Sequence, residues 1–230
     1  MSYFTEATLS ALQLIFHFDP EIYQIAWTSV KISLCAAFFA TLFGVLLGIL
    51  AAITEFPGKR LLQQSLNTLM AMPTVMIGLI LYGLLSRQGP LGELGLLYTE
   101  TAVILGEACL ILPLIMNMTL VTVQSADKRL IITLKIMGAT TQQQQIIPIL
   151  SELRYPILAG VITGFGRAIG EVGAAMMLGG NIQGLTRTMT TAIALETSKG
   201  DFEQGLALGL LLLLIAFSIN MFLQILYSKN

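Results

Sequence analysis

The 230-residue chain is 55% hydrophobic and 11% charged, with a mean hydropathy of +0.81 and a formal net charge of −1, whereas a soluble domain carries about 25% charged residues. Those proportions describe an all-α integral membrane protein and leave neither a basic footprint for nucleic acid nor an acidic tail. Cys35 and Cys109 sit in apolar runs without CxxC spacing, and His17 is the single histidine, so neither a disulfide framework nor a metal centre is indicated.

Residues 8–18, TLSALQLIFHF, are apolar but too short for the roughly 20 residues that cross about 30 Å of hydrocarbon. Residues 1–22 are therefore predicted to form an interfacial N-terminal segment, broken off by Asp19 and Pro20. The start has no basic run and Glu6 is its first charge, which disfavours a cleaved signal peptide. Residues 23–227 form the transmembrane domain, with five predicted spans. The first covers 27–53 and contains Gly44 and Gly48. The second covers 66–85 and is interrupted by Pro73. The third covers 102–123 and carries Glu107 and Pro113; the fourth covers 157–178 and the fifth 206–227.

Lys and Arg set the orientation. Lys59, Arg60, Lys128, Arg129, Lys135, Arg154 and Lys229 fall on one side. Arg87, Arg187 and Lys199 fall on the other, with Lys31 near the first span's start. The richer side is predicted cytoplasmic, which puts the N-terminus outside and the C-terminus inside.

The long insert at 125–156 is the one polar stretch between spans. Leu130, Ile131, Leu134 and Met137 mark one apolar stripe of a first helix, and Gly138 ends it. Thr141 and Gln144 have the form of a capping box for a second helix through the glutamine cluster Gln142 to Gln145. Two short helices around a glycine suit either a docking surface for another protein or a solvated loop.

In the fourth span Gly160, Gly164, Gly166, Gly170 and Gly173 recur at short steps, as where helix backbones approach closely. This places the helix at the centre of the bundle or against a second copy of the chain. Arg167 and Glu171, four apart on the same span, read as an internal ion pair that fixes packing or as part of a translocation path. Glu107 either joins them or is protonated.

The residues 155–200, YPILAGVITGFGRAIGEVGAAMMLGGNIQGLTRTMTTAIALETSKG, together with MPTVMIGLILYGLLSRQGPLGELGLLYT at 72–99, resemble the permease subunits of type I ATP-binding-cassette importers for oxyanions. Within the molybdate, sulfate and tungstate branch they are most similar to tungstate permeases. The resemblance covers residues 23–227. The family's cytoplasmic loop motif, Glu-Ala-Ala, three residues, Gly, nine residues, Ile-x-Leu-Pro, is only partly kept. Gly138 and Leu150 match, while Ile132, Thr133 and Leu134 replace the first three positions, Pro148 the isoleucine and Ser151 the proline.

The resemblance implies that Lys135, Gly138, Ala139, Thr140, Thr141, Gln142, Gln143 and Gln144 belong to a coupling helix docked into a separate ATPase. It also implies a second copy of the chain, two ATPases, an extracytoplasmic oxyanion-binding protein, the cell membrane as location, and tungstate or molybdate as cargo. The outer loops with Arg87, Arg187, Thr186, Thr188, Thr190 and Thr191 would receive the loaded binding protein, and a permease so fed needs no tight oxyanion site. No GxxxxGK[ST] occurs in the chain, so no cofactor is expected on it and ATP would be used by the partner. An ion-coupled secondary transporter with Arg167, Glu171 and Glu107 as a relay is the alternative; it usually shows internal repeats, and no convincing one is seen. An intramembrane enzyme would need a nucleophile with its base or paired carboxylates in a motif, and none is present.

Overall fold

A computed structural model of the chain describes residues 3–228; Lys229, counted above on the basic side, lies outside them. Helix α1 (Tyr3–Phe16) packs along α11 (Phe202–Ser228), with Ala7 and Ala11 buried. His17 is exposed, its ring nitrogen 2.9 Å from the Gln13 carbonyl. Asp19 then caps α2 (Pro20–Ile53), accepting from the backbone N–H groups of Glu21 and Ile22, with Pro20 in the first turn. Proline fits there because the first helical N–H has no intrahelical partner.

Among the described residues, four helical stretches are long and apolar enough to cross a membrane, and a bent pair makes up to a fifth, in keeping with the predicted count. The pair is α3 (Lys59–Ala71) and α4 (Thr74–Leu85), which meet at 97° across Met72 and Pro73. The predicted second span is thus an elbow. Its first arm is an amphipathic helix carrying Gln63, Gln64 and Asn67, and the second arm is predominantly apolar and carries no charged residue. Pro73 offers no N–H to continue α3, and Met72, the residue before it, is extended, as that position prefers.

The fold centres on α5 (Glu100–Gln124), the most buried span. It packs chiefly on α2, where glycines allow contact at backbone distance. A β-carbon at Gly44 would lie 3.1 Å from Ile115, and one at Gly48 would lie 2.7 Å from the Met116 carbonyl. Within the single chain the central position is therefore held by the third span, whereas the fourth was predicted to lie there or against a second copy of the chain. At one end of the bundle the polar insert folds as α6 (Lys128–Ile136) and α7 (Thr141–Pro148). A wide π turn at Ile149–Leu153 joins α7 to α8 (Arg154–Ile169), so 141–169 is one continuous helical rod rather than a short helix followed by a span. Pro156 cannot donate to the carbonyl one turn back, and the wider turn accommodates it. At the other end, α9 (Gly173–Gly179) and α10 (Met189–Lys199) lead into α11.

Candidate functional site

Two regions gather the residues singled out in the sequence: the hairpin of α6 and α7, and the place where the α3–α4 elbow meets the break between α8 and α9.

Gly138 ends α6 as expected. Its φ is +81°, the Gly138 N–H donates to the Lys135 carbonyl (3.1 Å) and the Ala139 N–H to the Leu134 carbonyl (3.0 Å). These are the paired bonds of a Schellman turn, which needs a left-handed residue at this position. The turn uses up Ala139, so the capping box that opens α7 falls one residue earlier than predicted. Thr140 accepts from the Gln143 N–H (3.3 Å) and the Gln143 side chain accepts from the Thr140 N–H (2.8 Å). Thr141 and Gln142 are exposed, and Gln144 donates to the Ala139 carbonyl at 2.8 Å.

The predicted apolar stripe divides. Leu130, Ile131 and Leu134 are half-buried towards the bundle, where Ile131 helps line a cavity of about 310 Å³ with Ala52, Val123, Gln144 and Pro148. Met137 instead points away with Ile132 and Ile136; Ile136 is 81% and Met137 77% exposed. The free tip of the hairpin is thus apolar and flanked by Lys135 and Arg129, both exposed.

At the second region the structure separates two residues that the sequence had joined. α8 ends at Ile169, Gly170 is its cap, and α9 starts only at Gly173. Glu171 therefore does not sit one turn above Arg167. It is 6% exposed and one of its carboxylate oxygens accepts from the Ala174 N–H (2.9 Å), capping α9. Arg167 donates to the carbonyl of Met70 in the last turn of α3, at 3.2 Å. Nearby, Asn117 of α5 donates to Asn67 (2.9 Å) and touches the Met70 sulfur (3.4 Å). A β-carbon at Gly173 would lie 2.8 Å from Val75 and 3.3 Å from the Thr74 hydroxyl, so the starts of α4 and α9 abut. Glu107 is 2% exposed, with Ser33 and Glu171 as its polar neighbours and one carboxylate oxygen unpartnered.

Of the glycines named for packing, Gly160 and Gly164 are buried against Met118 and Ile115 of α5, whereas Gly166 and Gly170 are exposed on the open side of α8. The threonines expected on an outer receiving surface are buried. Thr188 and Thr191 form the capping box of α10, Thr190 donates to the Glu171 carbonyl (2.6 Å) and Thr186 to the Gly179 carbonyl (2.6 Å). Hydroxyls at loop positions satisfy backbone groups where helices end, and periodicity did not separate that use from surface contact. Arg187 is tied to Glu21 at 3.5 Å, while Arg87 stays exposed at the rim of a cavity of about 580 Å³ with Tyr82, Gln88 and Tyr98.

The family described as the binding-protein-dependent transport system inner membrane component matches residues 44–229. The chain belongs to this family. The permease is 43% identical over 220 residues to the tungstate uptake system permease protein TupB of Peptoclostridium acidaminophilum, covering 96% of each chain. It is 38% identical to the protein of the same description from Campylobacter jejuni, covering 96% of this chain and 92% of that one. The molybdenum transport system permease protein ModB of Escherichia coli is 28% identical, covering 82% and 85% respectively. In fold the permease is similar to a chain of an amino acid ABC transporter (TM-score 0.71, 14% identity, 94% of this chain and 97% of that one). It is likewise similar to a chain of the inward-facing MetNI methionine ABC transporter (0.69, 18%, 90% and 97%). The permease is therefore a multi-pass inner-membrane transport component with an importer-type fold, and none of these relatives is described as an ion-coupled carrier.

Proposed function

We propose that this permease carries tungstate, with molybdate as a second cargo, inward across the cell membrane in a complex driven by a separate ATPase. Near-full-length identity to two tungstate uptake permeases supports the cargo. The observation that carries the energy coupling is the exposed apolar tip Ile132, Ile136 and Met137 beside Gly138. A cluster of large apolar side chains at the end of a polar hairpin is costly in water and suited to a groove on a partner. Gly138, Ala139, Thr140, Thr141, Gln142, Gln143, Gln144 and Lys135 make the turn, the cap and the rim of that docking element.

The assembly is two copies of this chain, two ATPases and an extracytoplasmic oxyanion-binding protein, with the N-terminus outside and the hairpin inside. ATP binding closes the ATPases and shifts the permease between inward- and outward-open states, to the extent that the two states differ in their contacts with the partner. This chain supplies no ATP chemistry of its own.

The test is reconstitution of the purified complex in liposomes with tungstate uptake read by elemental mass spectrometry. Uptake that requires ATP, the ATPase and the loaded binding protein is the expected result. Gradient-driven uptake by the permease alone would sink the reading.

A further inference from the structure

Among the described residues, Arg167 is a cation within the membrane domain that no carboxylate pairs. The break at Gly170 turns Glu171 away onto the Ala174 amide, and among the described residues no ion pair includes Arg167. Among the described residues its side chain donates to the Met70 carbonyl at 3.2 Å, which occupies one of five guanidinium N–H donors. Beside that carbonyl stand Asn67 and Asn117, linked at 2.9 Å, polar groups without charge. The neighbouring side of α8 is open: Gly166 is exposed, and nothing lies within 4 Å of where its β-carbon would be.

An ionised side chain at membrane depth faces either a counter-charge or a water-filled path, and among the described residues of the single chain no ion pair reaches Arg167. A planar guanidinium with spare donors matches two oxygens of a tetrahedral oxyanion at once. We propose that Arg167 is the contact through which the oxyanion passes the middle of the membrane, with Asn67 and Asn117 as uncharged donors beside it. One arginine among neutral amides holds a dianion weakly, as passage requires. The assignment rests on oxyanion import as the function, and it adds the residue at which selection for a tetrahedral anion takes place.

The test compares the wild-type complex with Arg167→Gln and Arg167→Lys in proteoliposomes. Glutamine keeps an N–H for the Met70 carbonyl but no charge; lysine keeps the charge. ATP-dependent tungstate uptake is expected to fall about tenfold or more in R167Q and to be partly kept in R167K, as loss of a charge-assisted contact requires. ATPase stimulation by loaded binding protein should persist in both variants. Wild-type uptake by R167Q, or equal losses in the two variants, overturns the assignment while leaving the proposed function intact. A wild-type complex that imports no oxyanion overturns both.

A second measurement does not depend on R167Q folding. With Cys35 and Cys109 replaced by serine, Gly166→Cys in the complex should react several-fold faster with an anionic thiosulfonate than with a cationic one, because an uncompensated Arg167 concentrates anions on that side. Equal rates, or a preference for the cationic reagent, also overturn it.

Discussion

At the scale of single residues, glycines with the same spacing in sequence have opposite uses. Gly48 lets α2 and α5 touch, since an added β-carbon would sit 2.7 Å from the Met116 carbonyl and 2.8 Å from the Thr119 β-carbon. Gly48→Ala should therefore cost about 1–3 kcal/mol, the usual range for overpacking, read as a lower unfolding midpoint of the detergent-solubilised protein. Gly166→Ala meets nothing and should leave the midpoint unchanged or raise it, since glycine within a helix costs about 1 kcal/mol relative to alanine. Equal losses at both positions would show that the α2–α5 approach is not what Gly48 provides. Gly138 has a third use: at φ +81° a side chain is strained whatever room it has, by about 1–2 kcal/mol. Gly138→Arg should abolish co-purification with the ATPase while membrane insertion, checked by fractionation, stays normal. Undiminished co-purification would remove the docking role from this turn.

At the scale of elements, the sequence made legible what local chemistry decides and hid what distant contacts decide. The five apolar stretches, the stop at Gly138 and the break at Asp19 and Pro20 follow from hydropathy and from side chains next to the backbone groups they serve, although the use of Asp19 as the cap of α2 was not identified from the sequence. The α7 cap falls one residue earlier than predicted because the Schellman turn is complete at Ala139, which leaves Thr140 rather than Thr141 to open the next helix. The two interrupted helices were harder to see. Pro73 announced a bend but not one of 97°, and the end of α8 at Ile169 carries no proline at all. Arg167 and Met70 are 97 positions apart, beyond any pattern in the chain, whereas the four-residue spacing of Arg167 and Glu171 suggested a pair that the break dissolves. The hairpin tip allows a sharper test of the element as a whole. Ile136→Asp with Met137→Asp places charge on side chains that are already in water, so permease stability should stay within about 0.5 kcal/mol. Stimulation of the ATPase by loaded binding protein should be lost. Full stimulation in that double variant would argue that another surface couples the subunits.

At the scale of the whole molecule, the described residues form a bundle around α5 of four lipid-length helical stretches and one bent pair, α3 with α4. Basic residues collect at the hairpin end. Cysteine-accessibility mapping should find Gly138→Cys labelled only from the cytoplasm and Gln88→Cys only from outside, and the reverse pattern would invert the proposed orientation. Equilibrium binding of tungstate to the isolated permease should be weaker than micromolar; a micromolar site would make the permease a second receptor.

The elbow also sets the electrical terms of import. With about 1.5 Å of rise per residue, the 12 residues of α4 climb only about 18 Å, well short of a hydrocarbon layer of about 30 Å. Where water reaches both ends of that short arm, the transmembrane voltage falls across the arm rather than across the full bilayer. A dianion moving into an inside-negative cell works against about 2.3 kcal/mol per charge for each 100 mV, and on the proposed route past Arg167, beside Met70 at the end of α3, most of that work would be done over this thin section.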